Sequence, residues 1–336
     1  MTTSARRPRP KTWSMLGDVR RRISPYEAVT AGFHYHFRRE PAPFELDPGM
    51  PMNEWYLRHR EGSPFQVDDW EAFRDPAKLT YKDYVVVQHE RELYLDGLVD
   101  RFEAVEHVAG LDPAWVATLR ALFVPLRFPL HVLQMASLYV GQMAPTSYVT
   151  NPSAFQAGDE MRRIQRIAYW TQVLADAHDP AIATTEAARD PWTAEPAWQP
   201  LRETLERLLI AYDWGEAFTA LNIVVKPVLD TLLDWQLAAL AGRNGDPFLE
   251  LLFAEFQNDA NRSRAWSGDL VRYALAARPE LADVVNGWVA TWTPRALDAA
   301  GTLATLFEDA PTPVAAEEVT AAVATAQTKL IAGLGL

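Results

Sequence analysis

No cysteine occurs among the 336 residues, so disulfide staples and thiolate chemistry are both excluded and a reducing compartment is permitted. Nor is there a Gly-x-Ser-x-Gly elbow, a phosphate-cradling P-loop or a dinucleotide fingerprint, which removes the usual nucleophilic, nucleotide-driven and hydride-transfer routes. Bases are outnumbered, 32 Lys and Arg against 44 Asp and Glu, and a net charge of −12 repels a phosphate backbone. Nucleic acid is therefore not an expected partner. The most apolar stretch, Leu122 to Met143, is interrupted by Pro125, Arg127, Pro129 and His131, which a lipid-facing span does not accommodate. It reads as a core helix buried on nearly all sides. The start, Met1 to Lys11, is Arg-rich and free of acid, but no apolar segment of secretory length follows it, so a cytoplasmic chain with a basic arm and no membrane partner is expected.

What the chain does have is apolar and aromatic mass. Hydrophobic residues make up 49% of it, with 12 Trp, 11 Tyr and 14 Phe, enough for wide helix–helix and subunit contacts. Residues 1–79 mix Pro, Arg and aromatics without sustained periodicity, including the run Phe33 to Phe37, and read as an extended arm lying against another surface. From Thr80 the pattern turns helical. Thr80 and Asp83 form a capping arrangement, Leu95, Leu98, Val99, Phe102 and Val105 recur at helical spacing, and Gly110 supplies a stop. Asp112 and Pro113 take the N-cap and N1 places of the next helix, which Pro125 and Pro129 should kink. A further helix runs to Asp179-Pro180, and a Pro-rich surface loop is expected through Pro191 and Pro196. Helical faces resume at Leu201 to Tyr212, Phe218 to Leu232, Leu249 to Phe256 and Leu281 to Trp292. No convincing strand appears, so the fold class is all-α. Composition leaves the tail, residues 311–336, open between a terminal helix and a loosely attached arm.

A bundle of long helices invites a search for a carboxylate-bridged di-iron site, whose sequence mark is Glu-x-x-His. Three residues before the seven His stand Ala31, Phe33, Tyr56, Val86, Ala104, Phe128 and Ala175, so the motif is absent. The near miss is Asp159-Glu160-Met161-Arg162-Arg163, with Arg where His would stand. A guanidinium has no lone pair to give a metal and pairs with a carboxylate instead, although such a charged pentapeptide is ordinarily a solvated helix face. His34 and His36 lack a nearby third ligand, and Glu103 with His107, one turn apart, is an everyday surface spacing. These residues point to no catalytic, cofactor-binding or metal-binding site. Two alternatives stay open: an independent helical metal-binding oxidoreductase using Glu160, Glu103 and His107, and a free-standing helical binding protein.

A series of segments in order resembles a known family. They are Lys11-Thr-Trp-Ser14, Met52-Asn-Glu-Trp-Tyr56, Trp70-Glu-Ala-Phe73 with Asp75-Pro76, Leu79-Thr-Tyr81, Pro125-Leu-Arg127, His131-Val-Leu-Gln-Met135, Gln142-Met-Ala-Pro145, Asp213-Trp-Gly-Glu-Ala-Phe218 and Val224-Val-Lys-Pro227. Together they resemble the beta subunit of the hydroxylase component of bacterial multicomponent di-iron monooxygenases, the toluene and alkene monooxygenase group. The resemblance implies a ferritin-like helical bundle over residues 80–310, lacking di-iron ligands, with the 1–79 arm packing on partner subunits. Against the alpha-chain pattern, Glu160 keeps an acidic place, Arg163 stands at the His place, Leu130 falls where the preceding helix would offer Glu, Ala260 and Ser263 replace the second motif, and Lys226 lies near the remaining Glu. The family's reaction is insertion of one oxygen atom from O2 into an aromatic ring or across an alkene. The resemblance further implies a di-iron centre in a partner alpha subunit, NADH, flavin and iron-sulfur carriers in other components, and a paired alpha-beta-gamma hetero-hexamer served by effector, ferredoxin and reductase.

Overall fold

The computed structural model describes residues 21–31 and 47–336, and among them there is no strand. The basic run Met1 to Lys11 and the run Phe33 to Phe37 with His34 and His36 lie outside the described residues. Before the main body come two short helices, α1 (Pro25–Thr30), closed by a Ser24/Glu27 capping box, and α2 (Pro51–Tyr56). Between them and the body, Phe65 stacks on Trp214 and Trp70 meets Trp214 edge-on, so this stretch lies on the bundle through aromatic contacts. Gly215 makes that approach possible, since a Cβ there would stand 2.5 Å from the Cβ of Phe65.

The reciprocal Thr80/Asp83 capping box starts α3 (Tyr81–Glu103), and the Asp112 carboxylate accepts from Ala114 N at the head of α4 (Pro113–Leu122), with Pro113 in its first turn. Pro125 breaks the chain into a 3-10 turn at Val124–Leu126. Pro129, by contrast, causes no kink. It sits in the first turn of α5 (Arg127–Met143), where an amide has no intrahelical acceptor to lose. The long α6 (Ser147–Ala177) ends just before Asp179, as its Asp-Pro stop predicts.

The expected Pro-rich loop is instead partly helical. Thr184 caps α7 (Thr185–Ala194), Pro191 lies within it, and Trp192 stacks on Phe128, so burial of an aromatic face outweighs the proline. Next come α8 (Gln199–Leu208) and the composite α9, residues 214–243, in which π-helical Ala220–Val225 and Thr231–Leu237 alternate with α-helical segments. Gly245, at φ +73°, turns the chain into α10 (Pro247–Ala277), a conformation that favours glycine. It is followed by α11 (Leu281–Ala304) and α12 (Ala316–Ala332). The tail question is thus decided for a docked helix: Val319, Val323 and Gln327 of α12 are buried, and Gln327 Nε2 donates to Ile223 O at 2.8 Å.

Four helices, α5, α6, α9 and α10, surround the centre, with α3 packed on α10 and joined to α6 by side-chain bonds, and α11 covering α8 and α9. Trp115, Trp170, Trp198, Trp214 and Trp266 are all buried there, each worth roughly 2–3 kcal/mol of transfer free energy. The helix α5 departs from the expectation of burial on nearly all sides. Leu130, Leu133, Ser137 and Val140 face inward, whereas His131, Met135, Leu138 and Gln142 form an outward stripe left exposed, because no other element of the described chain covers it.

Asp246 is the joint that ties α10 to the α3–α4 end. Fully buried, it accepts from Leu249 N and Trp115 Nε1 at 3.1 Å each and lies 3.1 Å from His107 Nε2. Asp246→Ala removes a helix cap and orphans a buried indole N–H, so it should cost roughly 2–4 kcal/mol. A urea titration reads this as a lower midpoint with unchanged slope, and Asp246→Asn should keep most of the stability.

Candidate functional site

The centre of the bundle holds a closed network of charge. From α6, Glu160 and Arg163 point inward; from α9, Lys226, Asp230 and Asp234 meet them, and all five are buried. Arg163 donates through Nη1 to Glu160 at 3.2 Å and to Asp230 at 3.0 Å, and through Nη2 to Asp234 at 2.8 Å. The Lys226 ammonium bonds Glu160 at 2.6 Å and both oxygens of Asp230 at 3.0 Å.

Local helix geometry explains how three residues of α9 reach one point. Four residues of an α-helix turn about 400°, so Lys226 to Asp230 drifts by about 40°, and eight residues would drift by about 80°. The second step passes through the π-helical Thr231–Leu237, whose wider turn takes that drift out and returns Asp234 toward Lys226. Side chains from neighbouring helices take carbonyls along this irregular stretch: Gln327 bonds Ile223 O, Arg264 bonds Pro227 O, and Gln257 bonds Asp234 O.

A second network lies against the first and stitches α3, α6 and α10 together. Asp159 accepts from Tyr84 Oη at 3.0 Å, Gln88 at 2.8 Å and Arg262 at 2.6 Å. Asp259 accepts from Arg162 at 2.8 Å, Arg262 at 2.9 Å and Gln88 at 3.0 Å, and also pairs with Arg91. Glu92 receives both Arg162 and Arg166. These ion pairs are shielded from solvent far more than ordinary surface bridges, so their desolvation is offset only while every partner stays in place.

The two networks carry unequal carboxylates. Burial pushes the Asp234 carboxyl up to about 7, with the Arg163 guanidinium opposing, and its second oxygen, Oδ2, meets no donor. Burial and the neighbouring Asp259 likewise raise Asp159 to about 7. Burial also raises Asp230, but Lys226 and Arg163 outweigh it and hold that carboxyl below the usual range.

At the remaining places stand Leu130, Ala260 and Ser263, all buried and none able to ligate iron as the family pattern requires. The side chains present therefore do not fit a di-iron centre, because a guanidinium and an ammonium fill the space between the carboxylates. Among the described residues no group of three or more His, Asp or Glu is placed to hold a metal. The Glu160, Glu103 and His107 set does not converge either. Glu103 is exposed and accepts from Tyr169 Oη at 3.2 Å, His107 pairs with Asp246, and Glu160 is sealed in the core. Sequence reasoning saw Arg163 as a salt-bridge former but missed Asp230 and Asp234. The spacing Lys226, Asp230, Asp234, two steps of four, was the available signal.

The family description methane/phenol/alkene hydroxylase matches residues 55–278. The chain belongs to this family. It is 40% identical over 286 residues, 85% of this chain and 87% of the relative, to the hydroxylase component subunit beta of the toluene-4-monooxygenase system of Ectopseudomonas mendocina. The small subunit of the propane 2-monooxygenase hydroxylase component of Rhodococcus jostii (strain RHA1) is 26% identical over 314 residues, 88% of this chain and 80% of the relative. Among solved structures, a chain of toluene 4-monooxygenase with toluene bound in the resting active site superposes with a TM-score of 0.83 at 38% identity, covering 90% of this chain and 99% of that one. Phenol hydroxylase from Pseudomonas sp. OX1, at 18% identity and a TM-score of 0.73 over 82% of this chain and 80% of that one, shares the fold. The hydroxylase fold is thus the ferritin-like helical one expected, and the ion networks occupy its centre.

Two predictions follow from the networks' construction. Arg163→Met leaves Glu160, Asp230 and Asp234 confined without their shared cation and should cost roughly 3–5 kcal/mol in chemical denaturation, part of which Glu160→Gln in the same chain restores. Asp159 and Asp234 hold a proton in the folded chain at pH values where an unfolded Asp, near 3.8, has lost it. The native state therefore binds more protons than the unfolded one, and these groups make stability fall as pH rises from about 4 to about 7. Asp234→Asn should flatten Tm against pH across that window; an unchanged profile would show that Asp234 titrates normally.

Proposed function

We propose that this chain is the non-catalytic beta subunit of a multicomponent monooxygenase hydroxylase, organising a complex whose chemistry takes place in another subunit. The observation that carries this reading is the centre of the bundle, where Arg163 and Lys226 stand among Glu160, Asp230 and Asp234 in place of metal ligands. A lattice of this kind holds α6 and α9 in fixed register through side-chain charge, which is what a scaffold for a neighbouring metal-bearing bundle requires. The outward stripe of α5, where Met135 and Leu138 stand exposed beside His131 and Gln142, supports life in a complex, because methionine and apolar side chains beside polar ones are what the covered face of a protein interface carries.

On this reading the partner alpha subunit holds the di-iron centre and gamma completes a paired hetero-hexamer. Electrons from NADH arrive through flavin and iron-sulfur components, and the product is a hydroxylated aromatic hydrocarbon or an epoxidised alkene. The 1–79 arm, beyond the aromatic contacts that lay Phe65 and Trp70 on the bundle, reaches partner subunits, residues 80–310 form the helical scaffold, and 311–336 close its C-terminal side. The complex works in the cytoplasm.

Elemental analysis tests the proposal. The chain purified alone should carry no stoichiometric iron, whereas co-expression with its alpha and gamma partners should give an iron-bearing complex that oxidises an aromatic or alkene. Stoichiometric iron and turnover in the isolated chain would overturn it.

A further inference from the structure

Asp75 is a buried carboxylate whose two oxygens accept, among the described residues, from the backbone amides of Ala77 and Lys78, at 3.2 and 3.1 Å, in the turn that leads into α3. Asp75 and Arg262 line the same small cavity, together with Gln156, Asp159, Ser263 and Trp266. Arg262 pairs with Asp159 and Asp259 through Nη2, yet forms no ion pair with Asp75, although its charge acts on that carboxyl and partly offsets the rise caused by burial. The cavity gives about 10 Å³ of water-accessible space, the room of a single water molecule. Polar groups that face one another across such a gap are joined when one molecule accepts from the donor and donates to the acceptor.

We propose that this cavity is a binding site for one buried water molecule, which accepts from the Arg262 guanidinium and donates to the Asp75 carboxylate. Ser263 adds a hydroxyl able to give or take a third bond, within the two to four partners that an internal water needs. A cation is disfavoured by the Arg262 charge at the same wall. The site deepens the scaffold reading without depending on it: it bolts the segment ahead of α3 to the second ion network. Ser263 stands where the family pattern has its second histidine, and its small side chain is what leaves the cavity open. An imidazole there would fill it.

Crystallography of the full-length chain or its hydroxylase complex, to a resolution of about 1.8 Å, decides the matter. One density peak at hydrogen-bond distance, about 2.6–3.2 Å, from both Asp75 and Arg262 is expected. A direct Asp75–Arg262 pair that closes the gap, an empty cavity, or short contacts of about 2.0–2.4 Å in a cation shell would each overturn it. Ser263→Val supplies the second measurement. It should remove the peak and speed hydrogen exchange at the Ala77 and Lys78 amides roughly tenfold. Exchange unchanged with the cavity filled would show that no water holds the turn. Iron content does not bear on any of these readouts, so failure here leaves the scaffold proposal standing.

Discussion

The guanidinium of Arg163 is the interaction on which the centre of this protein depends. It is buried, reaches three carboxylates on two helices, and with Lys226 balances a charge that would otherwise drive those helices apart. A metal can hold four helices together because it accepts electron pairs from ligands on each. A cation built into a side chain does the same electrostatic work with one end tethered to its own helix. The geometry at this centre is thus held by charged side chains of the bundle itself. Ion pairs of this kind are weak evidence for net stability against an apolar core, but each is expensive to break singly. What they supply is register: only one alignment of α6 against α9 satisfies Glu160, Asp230 and Asp234 together.

The irregularity of α9 belongs to the same constraint. A straight α-helix would turn Asp234 aside, and the π-helical turn returns it to Arg163. The carbonyls along that stretch are then met by Gln257, Arg264 and Gln327 from the neighbouring helices α10 and α12. The C-terminal helix, the segment whose composition is least informative, thereby supports the backbone that positions the core charges. Aromatic packing does the complementary work at the periphery, where Phe65, Trp70 and Trp214 attach the segment before α3 to the bundle.

The outward face of α5 is the side of that helix that the described chain leaves open. Met135 and Leu138 are 36% and 48% exposed on a helix whose other side is closed against the core. Its stretch with α4, Pro113–Met143, is long and apolar enough to cross a membrane, yet 67% of its most apolar window is buried within the fold. A helix closed on one side and carrying exposed Met135 and Leu138 on the other fits the relatives' description as subunits of a hydroxylase component.

The sequence by itself determined the local events. Thr80 with Asp83 and Asp112 with Pro113 mark helix starts because caps act over three or four residues, and Asp179-Pro180 marks a stop for the same reason. Helical periodicity without strand patterning determined the all-α class, and the Arg at position 163 allowed a salt bridge while leaving a solvated helix face open. Tertiary structure alone decided which carboxylates that Arg would meet, since Asp230 and Asp234 lie more than sixty residues away and only packing of α9 on α6 brings them near. It also decided that residues 185–194 are helical despite Pro191, that Pro129 sits harmlessly in a first turn, and that the tail docks. For residues 185–194 and for the tail the deciding energy is burial against distant residues, which no local window contains, whereas Pro129 is harmless because the helix begins only two residues before it.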